Sequence, residues 1–373
     1  MRPKGSKMRN SLSERFGASS DAMPTAATGR RSPLRSFTGT HATLLLCAAL
    51  AGIPSSPAQT PPPDESEKVA TTAAEVLGAV VSIHVQSVRN ARSASGARGE
   101  RHGTGVVVDR GGLILTSTPV VQEAESIVVT TFDGRTVPAI VAAQDAARGM
   151  AVLRPAAPLG ARALPLGRST ELELRTSVTV ASAATSRAVV AATVADRHDF
   201  ATEREFLVED AILTMPLAQE AAGAPLVDGA GKLVGVGALQ VTEIRSTVGS
   251  SAPGNVFIPV EHFLPLLARL GRPDEGRAPR RAWLGLVTRE SRDGLVVTEV
   301  PPESPAQHAG LRVGDTIRAV GDSGVRTHAE LYRSIWRAGG PGTAVRLTIQ
   351  RGGTTRQVRV RAIEAQDYFV HRV

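Results

Sequence analysis

The chain of 373 residues lacks much of what several functional classes require. Cysteine occurs once, as Cys47, inside an N-terminal segment with the layout of a removable leader. Without that segment there is no thiol, which excludes disulfides, thiolate metal sites and cysteine nucleophiles. Aromatic residues make up 3% of the chain, so the cores must be built from Val, Leu, Ile and Ala. The apolar run near the N-terminus, from Ala42 to Ala51, is too short to span a bilayer comfortably. No Gly-x-Ser-x-Gly elbow, His-Glu-x-x-His pair or phosphate-cradling glycine loop is present. Nothing in the residues calls for a cofactor or a metal. His84 and His102 read as ordinary solvated or hydrogen-bonded histidines on or beside strands.

The net charge of +8 suggests an affinity for nucleic acid until it is divided along the chain. Residues 1–58 carry +6 of it and the remainder only +2, so a nucleic-acid partner is not expected. The basic stretch holding Arg30, Arg31 and Arg35 precedes the apolar run, and Ser56-Pro57-Ala58 offers small residues where a signal peptidase reads. Residues 1–58 are therefore expected to be an export leader, with Gln59 as the new N-terminus. The protein is then periplasmic or secreted, with an uncleaved membrane anchor as the minor alternative.

Residues 59–69 are Pro-rich and polar, a linker by composition. Between 70 and 271, short Val/Ile/Leu runs such as Val80–Val85, Gly105–Asp109 and Ile127–Thr131 alternate with Gly, Asp and Pro. That pattern predicts a β-barrel or sandwich. A stretch apolar at helical spacing, His262 to Leu270, is expected to close this domain. Residues 272–280 form a second, charged linker, and 281–366 again read as strands. Two helices are predicted there, a short one near Pro305–Ala309 and a longer one from His328 to Arg337. Thr327 and Glu330 are spaced as a capping box for the longer helix.

The stretch Ser304-Pro-Ala-Gln-His-Ala-Gly-Leu-Arg-Val-Gly-Asp-Thr-Ile317 resembles the most recognisable segment of bacterial PDZ domains. The local physics agrees: Pro305 suits a first helical turn, and Gly310 can take the left-handed conformation that ends it. The resemblance places Trp283, Leu284, Gly285 and Leu286 at the carboxylate-binding loop. There, backbone N–H groups hold a peptide C-terminus while the peptide adds to a sheet edge. His328, Leu331, Tyr332 and Ile335 would form the facing groove wall. The alternative for Leu284, Leu286, Leu331 and Ile335 is plain core.

The middle domain resembles the HtrA group of trypsin-like serine proteases. Gly103-Thr-Gly-Val-Val-Val-Asp109, Leu113-Ile-Leu-Thr-Ser-Thr-Pro-Val-Val121, Gly231-Lys-Leu-Val-Gly-Val236 and Gly254-Asn-Val-Phe-Ile-Pro259 carry that likeness, in order. It implies a mainly β fold, a trypsin-like double β-barrel followed by a PDZ domain. Hydrolysis by this family needs a serine, a histidine base, an orienting aspartate and backbone donors for the oxyanion. Carried over position by position, the histidine falls on Pro119, the aspartate on Gly149 and the serine on Ala222. The first glycine of the nucleophile loop becomes Glu220. The resemblance thus implies an inactive homologue that binds protein C-termini or unfolded segments. It also implies a homotrimer, or a hetero-oligomer with active HtrA-type subunits. The rival expectation is an active endopeptidase using an unrecognised arrangement.

Overall fold

The computed structural model describes residues 73–89, 91–93, 99–245, 251–271 and 280–369. The expected leader 1–58 with Cys47, the linker 59–69 and residues 272–279 of the second linker lie outside the described residues. Among the described residues no helix is long and apolar enough to cross a membrane.

Six strands build a first closed barrel: β1 (Val80–Ser87), β2 (Glu100–Val107), β3 (Ile114–Ser117), β4 (Ala124–Thr130), β5 (Thr136–Asp145) and β6 (Met150–Pro155). They are ordered β1-β2-β3-β6-β5-β4, and β4 returns to pair with β1. The two-residue period of β1 sets its register: Val81, Ile83 and Val85 enter the barrel, while His84 faces outward. A second closed barrel contains β7 (Ser177–Ser182), β8 (Ala188–Thr202), β9 (Phe206–Met215), β10 (Pro225–Val227), β11 (Leu233–Arg245) and β12 (Ser251–Pro259). Its order is β10-β11-β12-β9-β8-β7, with β7 closing onto β10. Closure leaves no free edge in either barrel.

Each barrel has its own apolar filling, around Ile83, Ile114 and Leu153 in the first and Ile212, Leu226 and Phe257 in the second. A third cluster, with Leu115, Met150, Leu213, Val236 and Phe263, packs the barrels against each other. The closing segment differs from the expected continuous helix. A 3₁₀ turn over Val260–Phe263 runs into a short helix at Leu264–Leu267. Pro265 sits in the first turn of that helix, where its missing N–H costs nothing, and this position favours a new helical start.

The C-terminal sheet is ordered β13-β14-β15-β17-β18, from β13 (Val287–Ser291), β14 (Gly294–Glu299), β15 (Thr316–Val320), β17 (Ala344–Arg351) and β18 (Thr354–Arg361). The two-residue β16 (Ser323–Gly324) pairs with β15. A short helix, Pro305–His308, is capped by the Ser304 hydroxyl, which accepts from the Gln307 N–H. The longer helix is His328–Ala338, and its capping box of Thr327 and Glu330 is formed. Strand β13 lies at the edge of the sheet, beside this helix. A last helix, Ala365–Phe369, packs the Tyr368 ring against Trp283, tilted by 37° with ring centroids 4.7 Å apart.

Thr327→Ala removes the hydroxyl that receives the Glu330 N–H, and its expected cost is about 1 kcal/mol. Urea unfolding of the variant beside the natural chain checks this, with the midpoint expected to fall and the slope to stay unchanged.

Candidate functional site

The first barrel contributes two of the positions singled out in the sequence. Pro119 is the second residue of the four-residue helix Thr118–Val121 and is exposed. Gly149 is buried just before β6. Local hydrogen bonds bring them together: the Thr118 N–H donates to the Gly149 carbonyl at 2.8 Å, and the Thr118 hydroxyl to the Met150 carbonyl at 2.9 Å. Gly149 has φ +74°, and a β-carbon there would lie 2.3 Å from Cε2 of Phe206. A side chain at 149 is therefore opposed twice, by the left-handed backbone and by the Phe206 ring.

Ala222 comes from the second barrel, on the loop entering β10. Its carbonyl accepts from the Thr104 N–H at 3.0 Å, and Gly223 donates to the Gly237 carbonyl at 2.8 Å. Buried Asn255 fastens the start of this loop by bonding both the N–H and the carbonyl of Ala218, at 2.7 and 3.0 Å. Glu220 takes φ +53°. Its carboxylate accepts from the Thr185 hydroxyl and from the Thr185 N–H at 3.0 Å. Those bonds, the hydroxyl first, hold its pKa below the usual range.

A cavity of about 590 Å³ lies beside Pro119 and Gly149. Phe206, Arg281, Trp283 and Tyr368 also line it, so the barrel domain and the C-terminal domain share its wall. Asp145 borders it, buried, with Arg281 Nε 3.6 Å away. Burial raises the Asp145 pKa, opposed in part by Arg281 and Arg148.

The residues expected to form the peptide groove divide in two. Leu284, Leu286, Leu331, Tyr332 and Ile335 share one buried apolar cluster. Trp283 instead packs toward Tyr368 and Phe369. His328 Nε2 lies 2.9 Å from the Thr288 carbonyl, and its Nδ1 lies 3.2 Å from Glu290. The backbone of the loop does hold a carboxylate, and that carboxylate is the chain's own. Glu205, at the tip of the β8–β9 hairpin, accepts from Gly285 N–H at 2.7 Å and Leu286 N–H at 2.9 Å through Oε1. Its Oε2 accepts from Leu284 N–H at 3.0 Å. The positive φ of Gly285, +74°, lets the loop turn there, where a β-carbon would sit 2.5 Å from Ser304 Cβ. Tyr332 receives the Glu205 N–H at 3.0 Å and donates to the Thr202 carbonyl at 2.5 Å. Burial raises the pKa of Glu205 to about 7, outweighing the three N–H donors, and burial likewise raises that of Tyr332.

Glu205 escaped the sequence reading because the only local mark is an ordinary polar turn, Thr202-Glu-Arg-Glu205. A second feature was also missed. His84 and His102 pair directly across β1 and β2 with parallel rings 4.7 Å apart, and Glu100 lies on the same exposed face. Ligand atoms of the three lie within 4.8 Å of one another, a set of two imidazoles and a carboxylate that could hold a divalent cation.

Comparison with known proteins agrees with both halves of this geometry. The model of the trypsin-like peptidase domain matches residues 103–236, and that of the PDZ domain matches residues 282–362. The chain thus joins a trypsin-like peptidase domain to a C-terminal PDZ domain, an order in which it is similar to HtrA-type serine proteases. Serine endoprotease DegS of Haemophilus influenzae is 26% identical over 275 residues, 69% of this chain and 76% of its own length. Putative serine protease HhoA of Synechocystis sp. is 27% identical, covering 67% of both chains. A probable periplasmic serine endoprotease, DegP-like, of Hahella chejuensis is 28% identical over 69% of this chain and 56% of its own. Among solved structures, the HtrA-type protease AlgW with a decapeptide superposes with a TM-score of 0.51 at 20% identity. That match covers 79% of this chain and 98% of the other, and it shows the fold.

The raised pKa of Glu205 fixes a sign for pH dependence. Between its ordinary value of 4.5 and about 7, the folded chain holds this proton and the unfolded chain does not. The contribution to stability is complete below 4.5 and is lost as pH rises through 7. Between pH 4 and pH 8 the natural chain should lose on the order of 3 kcal/mol that Glu205→Gln does not lose. Paired urea titrations across that range check it, and parallel profiles would remove Glu205 as the cause.

Proposed function

We propose that this is an exported HtrA-type pseudoprotease, a binding protein that captures protein C-termini or unfolded segments through its PDZ domain. The observation that carries the reading is the chemistry at the three aligned positions. Pro119, Gly149 and Ala222 offer no base, no orienting carboxylate and no nucleophile. The surroundings support it, since the Phe206 ring occupies the space that a side chain at 149 would need. Glu220, in place of the loop's first glycine, would bring negative charge beside an oxyanion. Export rests on the leader-like residues 1–58 and on a relative named periplasmic. Capture of C-termini rests on the PDZ domain and on a loop whose N–H groups already hold a carboxylate. Assembly as a homotrimer, or with active HtrA-type subunits, completes the proposal, with sedimentation of the chain alone and mixed with such a protease as its readout.

The second reading, an active endopeptidase with another catalytic arrangement, is favoured by the names of the relatives, which are serine endoproteases.

Casein degradation by the full chain separates the two. The expected rate is that of buffer alone. The triple variant Pro119→His, Gly149→Asp, Ala222→Ser is also expected to stay inactive, because Asp at 149 meets both the left-handed backbone and Phe206. Gly149→Asp alone should cost on the order of 1–3 kcal/mol in urea unfolding, as expected for a strained backbone position. Cleavage by the natural chain, unchanged by Ala222 substitutions, would place catalysis elsewhere and overturn the binding-protein reading.

A further inference from the structure

The carboxylate-binding loop of a PDZ domain works through three backbone N–H groups and an adjacent strand edge. Both features are engaged in this structure by one segment of the second barrel. The side chain of Glu205 receives the N–H groups of Leu284, Gly285 and Leu286 at 2.7 to 3.0 Å. Two residues earlier, the Glu203 carbonyl accepts from the Thr288 N–H at 3.2 Å, on the edge strand β13. On the other side of the tip, Leu207 is buried in the apolar cluster with Leu284, Leu331 and Ile335. A carboxylate in the loop, a backbone bond to the edge strand and an apolar side chain in the cluster are what an external C-terminus would bring. The hairpin supplies all three.

The hairpin is also held at its flanks. Arg333 of the long helix pairs with Asp199 and lies 3.6 Å from Glu209, while Arg204 pairs with Glu299 at 3.1 Å. These pairs are largely exposed and contribute little individually, so the buried carboxylate and Tyr332 set the register of the contact. The backbone at Glu205 is left-handed, φ +55°, an uncommon state for a glutamate that the surrounding bonds must maintain.

We propose that the tip of the β8–β9 hairpin is an internal ligand of the PDZ groove, so that an external C-terminal peptide binds only by displacing Glu205. This rests on the reading of the domain as a binder of C-termini. The partner it implies is a chain with a free terminal carboxylate and an apolar last residue. An amidated end lacks the charge that the three N–H groups select. Self-occupation lowers the apparent affinity for such a chain by the fraction of time the groove is empty, a tax that removing the internal carboxylate lifts.

The test uses the full chain, its Glu205→Ala variant, and a library of decapeptides with free C-terminal carboxylates, beside the same library amidated. Fluorescence anisotropy should show Glu205→Ala binding the free-carboxylate members about tenfold tighter or more, with no gain for the amidated ones. Equal affinities for both proteins overturn the internal-ligand proposal and leave the PDZ reading standing. No binding by either protein overturns both. A readout that needs no variant is hydrogen exchange of the natural chain. Saturating peptide should deprotect residues 199–208 while 284–288 stay protected. Peptide binding that leaves 199–208 unchanged refutes displacement.

Discussion

A carboxylate taken out of water costs several kcal/mol unless its oxygens are satisfied, and much of this molecule's arrangement follows from one such group. Glu205 is buried, and the donors that meet it are backbone N–H groups rather than a cation. That choice demands geometry from three places at once. The loop at 284–286 must point successive N–H groups one way, with Gly285 making the turn. The hairpin tip must hold a left-handed glutamate. The long helix must present the buried Tyr332 hydroxyl to the backbone on both sides of the tip. Because backbone donors cannot swing away as a lysine would, the contact fixes the register of the barrel domain against the PDZ domain.

The next residue along makes a contact of its own. Phe206 packs onto Gly149 in the first barrel and borders the cavity shared with Trp283 and Tyr368. Glu205 at the hairpin tip and Phe206 at the start of β9 thus engage two features that sequence comparison treats separately, the PDZ loop and the pocket beside Pro119 and Gly149.

The barrels depend on neither contact. Their stability lies in closed ladders and in three apolar clusters, two inside the barrels and one between them. The loop bearing Ala222 is kept in shape by backbone bonds to Thr104 and Gly237 and by Asn255, none of which requires a nucleophile. The backbone of that loop therefore takes its shape without drawing on a catalytic side chain.

Much of this was legible in the linear order of residues. The two-residue periodicity of β1, the capping box at Thr327 and the turn at Gly310 are local, and local rules give them. The residue types at 119, 149 and 222 could also be read directly, since a proline, a glycine and an alanine have no chemistry to misjudge. The helix expected from His262 was shortened by Pro265, whose effect periodicity alone does not register. The pairing of His84 with His102 depends on strand register, and the filling of the Gly149 position by Phe206 on packing between barrels. The occupation of residues 284–286 by Glu205 joins groups some eighty positions apart. The sequence determined by itself the strands, their turns and the chemical identity of each site residue, because these depend on neighbours along the chain. Only the tertiary structure decided which carboxylate fills the PDZ loop, because backbone N–H groups select charge and geometry and carry no mark of their partner in the sequence.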